Sequence, residues 1–317
     1  MPCILVLTRP RPGAPPPPEA WPMGRAALAL EPQGIRLRFG DLRAVPGGWT
    51  ACTDTPVAIF DRYPSWTHPS DYQAALARFP GVPVVNSPAV QALCRDKLAT
   101  QRALEAAGVP MPPVSETPSQ DLLAQWGGGF LKPRYGGLGR GVRHVLPGDA
   151  LPPTLLGATG HPEPAILQAP VLPPAGQPFV SYRALVQRTP EATSMTSSGW
   201  TVCPIVARVG GSPVVNVDLG AAAEPACDRL PQAQYEEMER LAIQAAAALA
   251  DDHTAELGVD LLLGQHGPVV IEVNGVPKGR GAILAQRDPE RFGDAHQEAL
   301  LRPMRWLSGF QRISVCD

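Results

Sequence analysis

Three oxygen-bearing side chains near the end of the chain are spaced so that they can converge. Asp260 lies in the apolar run GVDLLL and Glu272 in VVIEVN, with Asn274 two residues beyond. Two extended segments joined by the turn Gln265–Gly267 would set Asp260 opposite Glu272. Glu272 and Asn274, at i and i+2, would share one face. Hard oxygens gathered in this way suit Mg²⁺, which takes few protein ligands and fills its shell with phosphate and water. An acidic pair exposed on a sheet face is the plainer alternative. It is disfavoured because both acids interrupt apolar strands, where an unpaired charge is expensive. A second motif, GGLGRG (Gly136–Gly141), follows an apolar segment that contains Lys132. Glycines let backbone N–H groups approach and wrap anionic oxygens. No helix follows at once, so the dinucleotide fingerprint fails, and there is no GKS or GKT of a Walker loop. The motif fits a hairpin that folds over phosphates, with Lys132 one strand away to neutralise charge. Taken alone, it fits an ordinary Gly-rich hairpin equally well.

The composition sharpens the choice. The chain has 24 arginines but only three lysines, Lys97, Lys132 and Lys278, and only three asparagines, Asn86, Asn216 and Asn274. With 39 prolines and many alanines, this looks like a GC-rich coding bias that favours Arg over Lys. A lysine that survives such a bias marks a place where a compact ammonium is wanted instead of a planar guanidinium, unless it survives by chance. Net charge is −2, so there is no global field to draw nucleic acid or a membrane surface. Six scattered cysteines without a CxxC argue against a zinc site or redox pair and for reduced thiols. MPCILVLT has no basic flank, its apolar run is too short for a signal peptide, and no stretch approaches a membrane span. The expected location is the cytoplasm. The six histidines show no ligand spacing.

These residues need elements to position them. Cys3–Leu7, Pro56–Asp61 and Val82–Asn86 read as buried strands, with a helix capped near Ser70 between the last two. That alternation predicts a small parallel α/β domain over residues 1–95. Asp96–Gly108 reads as a helix. Gly127–Leu146 reads as strand, Gly-rich turn, strand, and the Pro-rich stretch Pro147–Pro164 as a connection to a strand over Ala165–Val171. FVSYRALVQ, TVCPIVARV and PVVNVDL alternate like antiparallel strands. Tyr235–Asp252 is the clearest helix, and the acidic strand pair follows it.

The order DKLAT, FLKPRYGGLGRGV, ARVGGSPVVNVDLG, GVDLLL, VIEVNGVP resembles the ATP-grasp superfamily, with the spacing Asp-x11-Glu-x-Asn kept. Within it the chain most resembles the RimK-like ligases, in particular the α-L-glutamate ligase branch with its glutathione-synthetase-like fold. The likeness runs from about Val84 to Gly281. It implies an ATP-grasp fold behind the N-terminal parallel α/β domain, with one lobe over 96–167 and a metal and catalytic lobe over 168–317. It implies that Lys97 and Lys132 meet the nucleotide and that Gly136, Gly137, Gly139 and Gly141 form a mobile flap over the β- and γ-phosphates. The backbone of Gln168–Val171 would read the adenine edge. Arg183, Arg208 and Asn216 would act at the reacting centre, and Asp260, Glu272 and Asn274 would hold Mg²⁺, or Mn²⁺ in its place. Two of the three lysines and two of the three asparagines thus fall at nucleotide or metal positions.

The chain departs from the family pattern at Ser181, where Asp is usual, and in the hinge QAPV, where a glutamine–glutamate pair is usual. It also departs at Ala221–Ala223, which follow Gly220 where a second Gly is common, and at Lys278 and Arg280, where small or apolar residues are frequent. The resemblance implies an ATP-dependent carboxylate–amine ligase acting on small molecules or peptides through an acyl phosphate, with glutamate as a candidate amine. A homo-oligomer is compatible with it, and neither nucleic acid nor membrane is an expected partner. The alternatives are a kinase for a non-carboxylate acceptor and a non-catalytic nucleotide-binding module. No residue stands out as the base for the amine.

Overall fold

The parallel sheet expected at the start of the chain is present in the computed structural model, which describes residues 2–8, 22–41, 55–62, 69–135, 137, 139–157, 159–173, 178–191, 199–211, 213–215, 220–277 and 280–309. β1 (Cys3–Thr8), β2 (Arg36–Asp41), β3 (Ala58–Asp61) and β4 (Val84–Val85) pair in the order β2-β1-β3-β4. Alternate residues of β1 go to opposite cores. Ile4 and Val6 pack toward α1 (Pro22–Leu30), while Leu5, Leu7 and Ile59 meet Tyr72 of α2 (Pro69–Leu76). Burial on both faces explains why these strands read as continuous apolar runs. α2 starts at Pro69, so Ser70 lies in its first turn and does not cap it. β2 and α1 were not expected from the sequence. α3 (Pro88–Arg95) and α4 (Lys97–Ala106) follow, separated by Asp96, whose carboxylate accepts from the Leu98 and Ala99 amides and so starts α4.

The next sheet is antiparallel. β5 (Val114–Ser115), β6 (Gly129–Pro133), β7 (Arg143–Val145) and β9 (Pro162–Gln168) lie in the order β5-β9-β6-β7, with β8 (Thr154–Leu156) also paired to β9. α5 (Gln120–Trp126), capped by Ser119 and ended by Gly127 at φ +71°, covers it through Leu122, Leu123 and Trp126. Pro147–Pro164, expected as a plain connection, contains β8 and the first three residues of β9. Those prolines sit at the margins of a sheet, where a missing N–H is tolerated.

The last sheet runs β13-β12-β10-β14-β15, with β11 paired to β10. Its strands are β10 (Val180–Arg188), β11 (Trp200–Val202), β12 (Val206–Val209), β13 (Ala222–Pro225), β14 (Glu256–Gly264) and β15 (Gly267–Asn274). The run TVCPIVARV is two strands broken at Pro204. Of PVVNVDL, residues 213–215 are irregular and 216–219 lie outside the described residues. α6 (Gln232–Leu249) buries Met238, Leu241, Ala242, Ala245, Ala246 and Leu249, a helical stripe that packs on β14 and β15. Val90 and Cys94 of α3 and Leu104 of α4 join the same core. α7 (Gly281–Arg287) and α8 (Pro289–Ser308) end the described chain. α8 returns to the first sheet, where Leu301, Met304, Trp306 and Leu307 pack with Ile4, Val6 and Phe60.

Polar side chains tie the first sheet to the last. Asn86 donates to the carbonyls of Gly275 (2.6 Å) and Glu256, and accepts from the amides of Ala255 (2.8 Å) and Glu256 (3.2 Å). Arg62 pairs with Glu256 and donates to the Pro277 carbonyl. The strands carrying Asp260 and Glu272 are thereby held from behind. No helix among the described residues is long and apolar enough to cross a membrane.

Candidate nucleotide and metal site

The hairpin β14–β15 sets Asp260 directly opposite Glu272, with Asn274 two residues on, opposite Gly258. The register shifts just past Asp260. One extra residue on β15 lets both Ile271 and Glu272 face the same cleft, although they are neighbours in sequence. Asn274 Nδ2 lies 3.5 Å from Asp260 Oδ2. The three residues picked for a metal are therefore brought together.

Their environments differ. Asp260 is buried and accepts from Arg183 Nε at 2.5 Å and Nη2 at 2.6 Å, and from Arg208 Nη2 at 2.6 Å. Arg183 faces Asp260 across β10–β14, and Arg208 comes from β12. Burial pushes the Asp260 carboxyl up, but the two guanidiniums outweigh it and hold the group below its ordinary value. Three charge-assisted bonds and the longer one from Asn274 Nδ2 engage all four lone-pair sites of Asp260. Burial lowers the Arg208 guanidinium, and its Nε has no hydrogen-bond partner among the described residues. Glu272 is only partly buried, and it takes neither a hydrogen bond nor an ion pair from a described residue. The Glu272 carboxylate and the Asn274 carboxamide oxygen are hard oxygen donors that fit a small hard cation, and Asp260 joins them only by giving up one of its present donors. The set holds only two carboxylates, and no group of three His, Cys, Asp or Glu is present among the described residues.

Lys97 and Lys132 meet Glu272 from the other side of the cleft. Lys97 opens α4, and Lys132 projects from β6, where alternation puts it on the cleft face with Phe130. Lys132 Nζ donates to Gln168 Oε1. Burial lowers both ammoniums: Lys97 falls despite the pull of Glu272, Glu163 and Asp96, and Lys132 falls to about 8 despite Glu272. Two ammoniums held in one cleft, each made less favourable by burial, gain from an anion placed between them.

The cleft opens to solvent at its mouth and draws its lining from both antiparallel sheets. The apolar part of that lining, the slot, comprises Phe130, Val142, Val171, Phe179, Leu262 and Ile271. Ala169 N–H is spent on the Pro113 carbonyl at 2.8 Å and Pro170 has none, so the first free donor of the hinge is the Val171 N–H. Gly137 and Gly139 line the cleft, and Gly141 closes the turn into β7. Gly139 and Gly141 have φ of +71° and +73°. A Cβ at Gly141 would lie 2.6 Å from the Leu156 carbonyl oxygen. Of the sequence-picked residues, Gly136 and Asn216 lie outside the described residues, as does Lys278.

No protein-family model matches the chain, and no curated protein matches it. Solved structures do. A D-alanine–D-alanine ligase from Bacillus anthracis complexed with ATP superposes with a TM-score of 0.61 at 14% identity, over 98% of this chain and 99% of its own. Another structure of that ligase gives 0.63 at 15%, over 99% and 98%. N5-carboxyaminoimidazole ribonucleotide synthetase from Thermotoga maritima gives 0.58 at 14%, over 96% of this chain and 76% of its own. The fold is that of the ATP-grasp ligases. The sequence reading missed the apolar slot, although Phe130 was legible as the i−2 neighbour of Lys132. It also missed the clamp in which Arg134 binds Asp96 through Nε at 2.9 Å and Nη2 at 2.6 Å. A basic residue 38 positions beyond an acid carries no local signal.

Proposed function

We propose that this protein is an ATP-dependent carboxylate–amine ligase that forms an amide through an acyl phosphate and releases ADP and phosphate. The observation that carries the reading is the gathering of Lys97, Lys132 and Glu272 in one cleft whose lining also holds an apolar slot and the glycines of the Gly-rich turn. Adenine fits the slot, with the Val171 N–H and the Ala169 carbonyl offering a donor and an acceptor to its edge. The lysines spread phosphate charge, and the turn offers backbone N–H groups to the terminal phosphates. Glu272, Asn274 and Asp260, the last after releasing one of its present donors, would hold Mg²⁺, which when bound neutralises phosphate charge. Arg208, whose Nε has no hydrogen-bond partner among the described residues, is placed to meet the carboxylate or acyl-phosphate oxygens. Arg183 keeps Asp260 ionised and oriented, and Asn216 is assigned beside Arg208 by sequence likeness. A closed flap excludes water from the acyl phosphate.

Within this reading the chain belongs with the RimK-like branch, works in the cytoplasm, and takes an acidic amino acid such as L-glutamate as the amine. Lys278 and Arg280, in the loop after β15, are cations suited to its carboxylates. The test is an ADP-release screen over pairs of carboxylates and amino acids, with mass spectrometry of the products. ADP release coupled to an amide supports the reading. A phosphorylated, amide-free product would favour a kinase.

A further inference from the structure

The flap needs a root, and the residues that grip it have no role so far. Arg134 and Tyr135 connect β6 to the Gly-rich turn. Arg134 is held on one side by Asp96, which also starts α4, and the Lys97 amide donates to the Arg134 carbonyl at 3.1 Å. On the other side stands Glu163, the second residue of β9. Its side chain is buried at 8% exposure, and Oε2 accepts from the Tyr135 amide at 3.1 Å. The neighbouring Arg134 amide donates to the Pro164 carbonyl at 2.9 Å. Gly157, at the end of the β8 hairpin, has ordinary backbone angles, yet a Cβ there would overlap the Glu163 carboxylate. The same hairpin touches the far leg of the flap, where the Gly141 α-carbon faces the Leu156 carbonyl.

We propose that the β8–β9 hairpin is the seat of the Gly-rich turn and that Glu163 is its positioning residue, fixing the backbone at Tyr135 where β6 leads into the turn. This rests on the nucleotide reading above. A charged acceptor suits the task, because a buried amide without a partner would cost the seat its definition. Glu163 also faces the Lys97 ammonium electrostatically, which links the seat to the residue expected to meet phosphate.

The test is calorimetric binding of Mg-AMP-PNP and of AMP to wild type, Glu163→Gln, Glu163→Ala and Gly157→Ala. AMP lacks the phosphates the flap would cover. Glu163→Ala should weaken Mg-AMP-PNP about 10-fold or more and leave AMP within about 3-fold, since one charge-assisted bond is lost. Glu163→Gln keeps an acceptor oxygen and should rescue most of the loss. Gly157→Ala, which displaces the carboxylate without removing it, should behave like Glu163→Ala. Equal Mg-AMP-PNP affinity in wild type and Glu163→Ala overturns the proposal, as does an equal loss for AMP. If wild type binds neither nucleotide, the nucleotide reading itself fails. Should the variants not fold, amide exchange in the wild type decides. A protected Tyr135 amide supports a rigid root, and an unprotected Tyr135 refutes it.

Discussion

Replacing Lys132 with Met should weaken nucleotide binding without weakening the fold. In the folded chain the Lys132 ammonium titrates at about 8 instead of 10.5, because burial disfavours the charge. At about 1.36 kcal/mol per pH unit this amounts to roughly 3 kcal/mol against the charged form. The folded value lies below the unfolded one, so this destabilisation is complete below about pH 8 and is gone above about 10.5. Met removes it and also relieves the repulsion from Lys97. The opposing cost is Gln168 Oε1, which loses its donor in a buried place, at about 1–3 kcal/mol. The net at pH 7 should lie between no change and a gain of about 2 kcal/mol, which is up to about 4 °C in Tm for a chain of this size. ATP loses a charge-assisted phosphate contact worth about 1.5–3 kcal/mol, or roughly 10- to 150-fold in Kd. Calorimetry with Mg-AMP-PNP and thermal melts at pH 7 measure both. A variant that binds as tightly as wild type, or that melts well below it, would refute the reasoning.

Nucleotide affinity should depend on pH through the same group. Phosphate favours the ammonium, so binding is strongest below about pH 8 and log Kd should climb above it, with a slope approaching about one per pH unit; a flat profile to pH 9.5 would remove Lys132 from the site. Glu272→Gln is nearly isosteric and should abolish Mg²⁺-dependent turnover without unfolding the chain; it breaks no hydrogen bond to a described residue, and Tm should fall modestly because Lys97 and Lys132 lose a counter-charge. Wild-type activity in that variant would refute the metal assignment. Gly141→Ala carries a left-handed penalty of about 1–2 kcal/mol and a Cβ 2.6 Å from the Leu156 oxygen. Its Kd for Mg-AMP-PNP should rise about 10-fold or more with little change for AMP, and equal effects on both would separate Gly141 from the flap.

The β14–β15 hairpin that carries Asp260 and Glu272 was legible because its signal is local. Period-2 alternation fixes which face Asp260, Glu272 and Asn274 share, and a short turn fixes the register. The bulge at Ile271 was not legible, because it depends on how β15 accommodates its neighbours. Lys97 and Lys132 stood out through a coding bias, yet the same argument singled out Asn86, which proves to pin the first sheet to the last. Rarity marks a constrained position without saying what constrains it. The C-terminal helix α8 escaped notice because charges and Pro303 interrupt its apolar stripe, and only the distant β1 reveals what Leu301, Met304 and Leu307 are for. β8 was hidden among prolines that suit a sheet margin as well as a loop. Contacts such as Arg134–Asp96 and Glu163–Tyr135 are tertiary facts with no pattern in the chain.

The central claim is transfer of the γ-phosphoryl group to a carboxylate, and the most direct measurement is the fate of ATP in the presence of hydroxylamine. In the proposed reading the metal ligands and the flap would both meet the terminal phosphates, and Lys97 and Lys132 would screen the α-phosphorus. A carboxylate that stimulates turnover should therefore release ADP and phosphate and yield a hydroxamate, as the small nucleophile replaces the natural amine. Pyrophosphate and AMP from the true substrate would contradict the account, and ADP without any hydroxamate would shift it to a kinase.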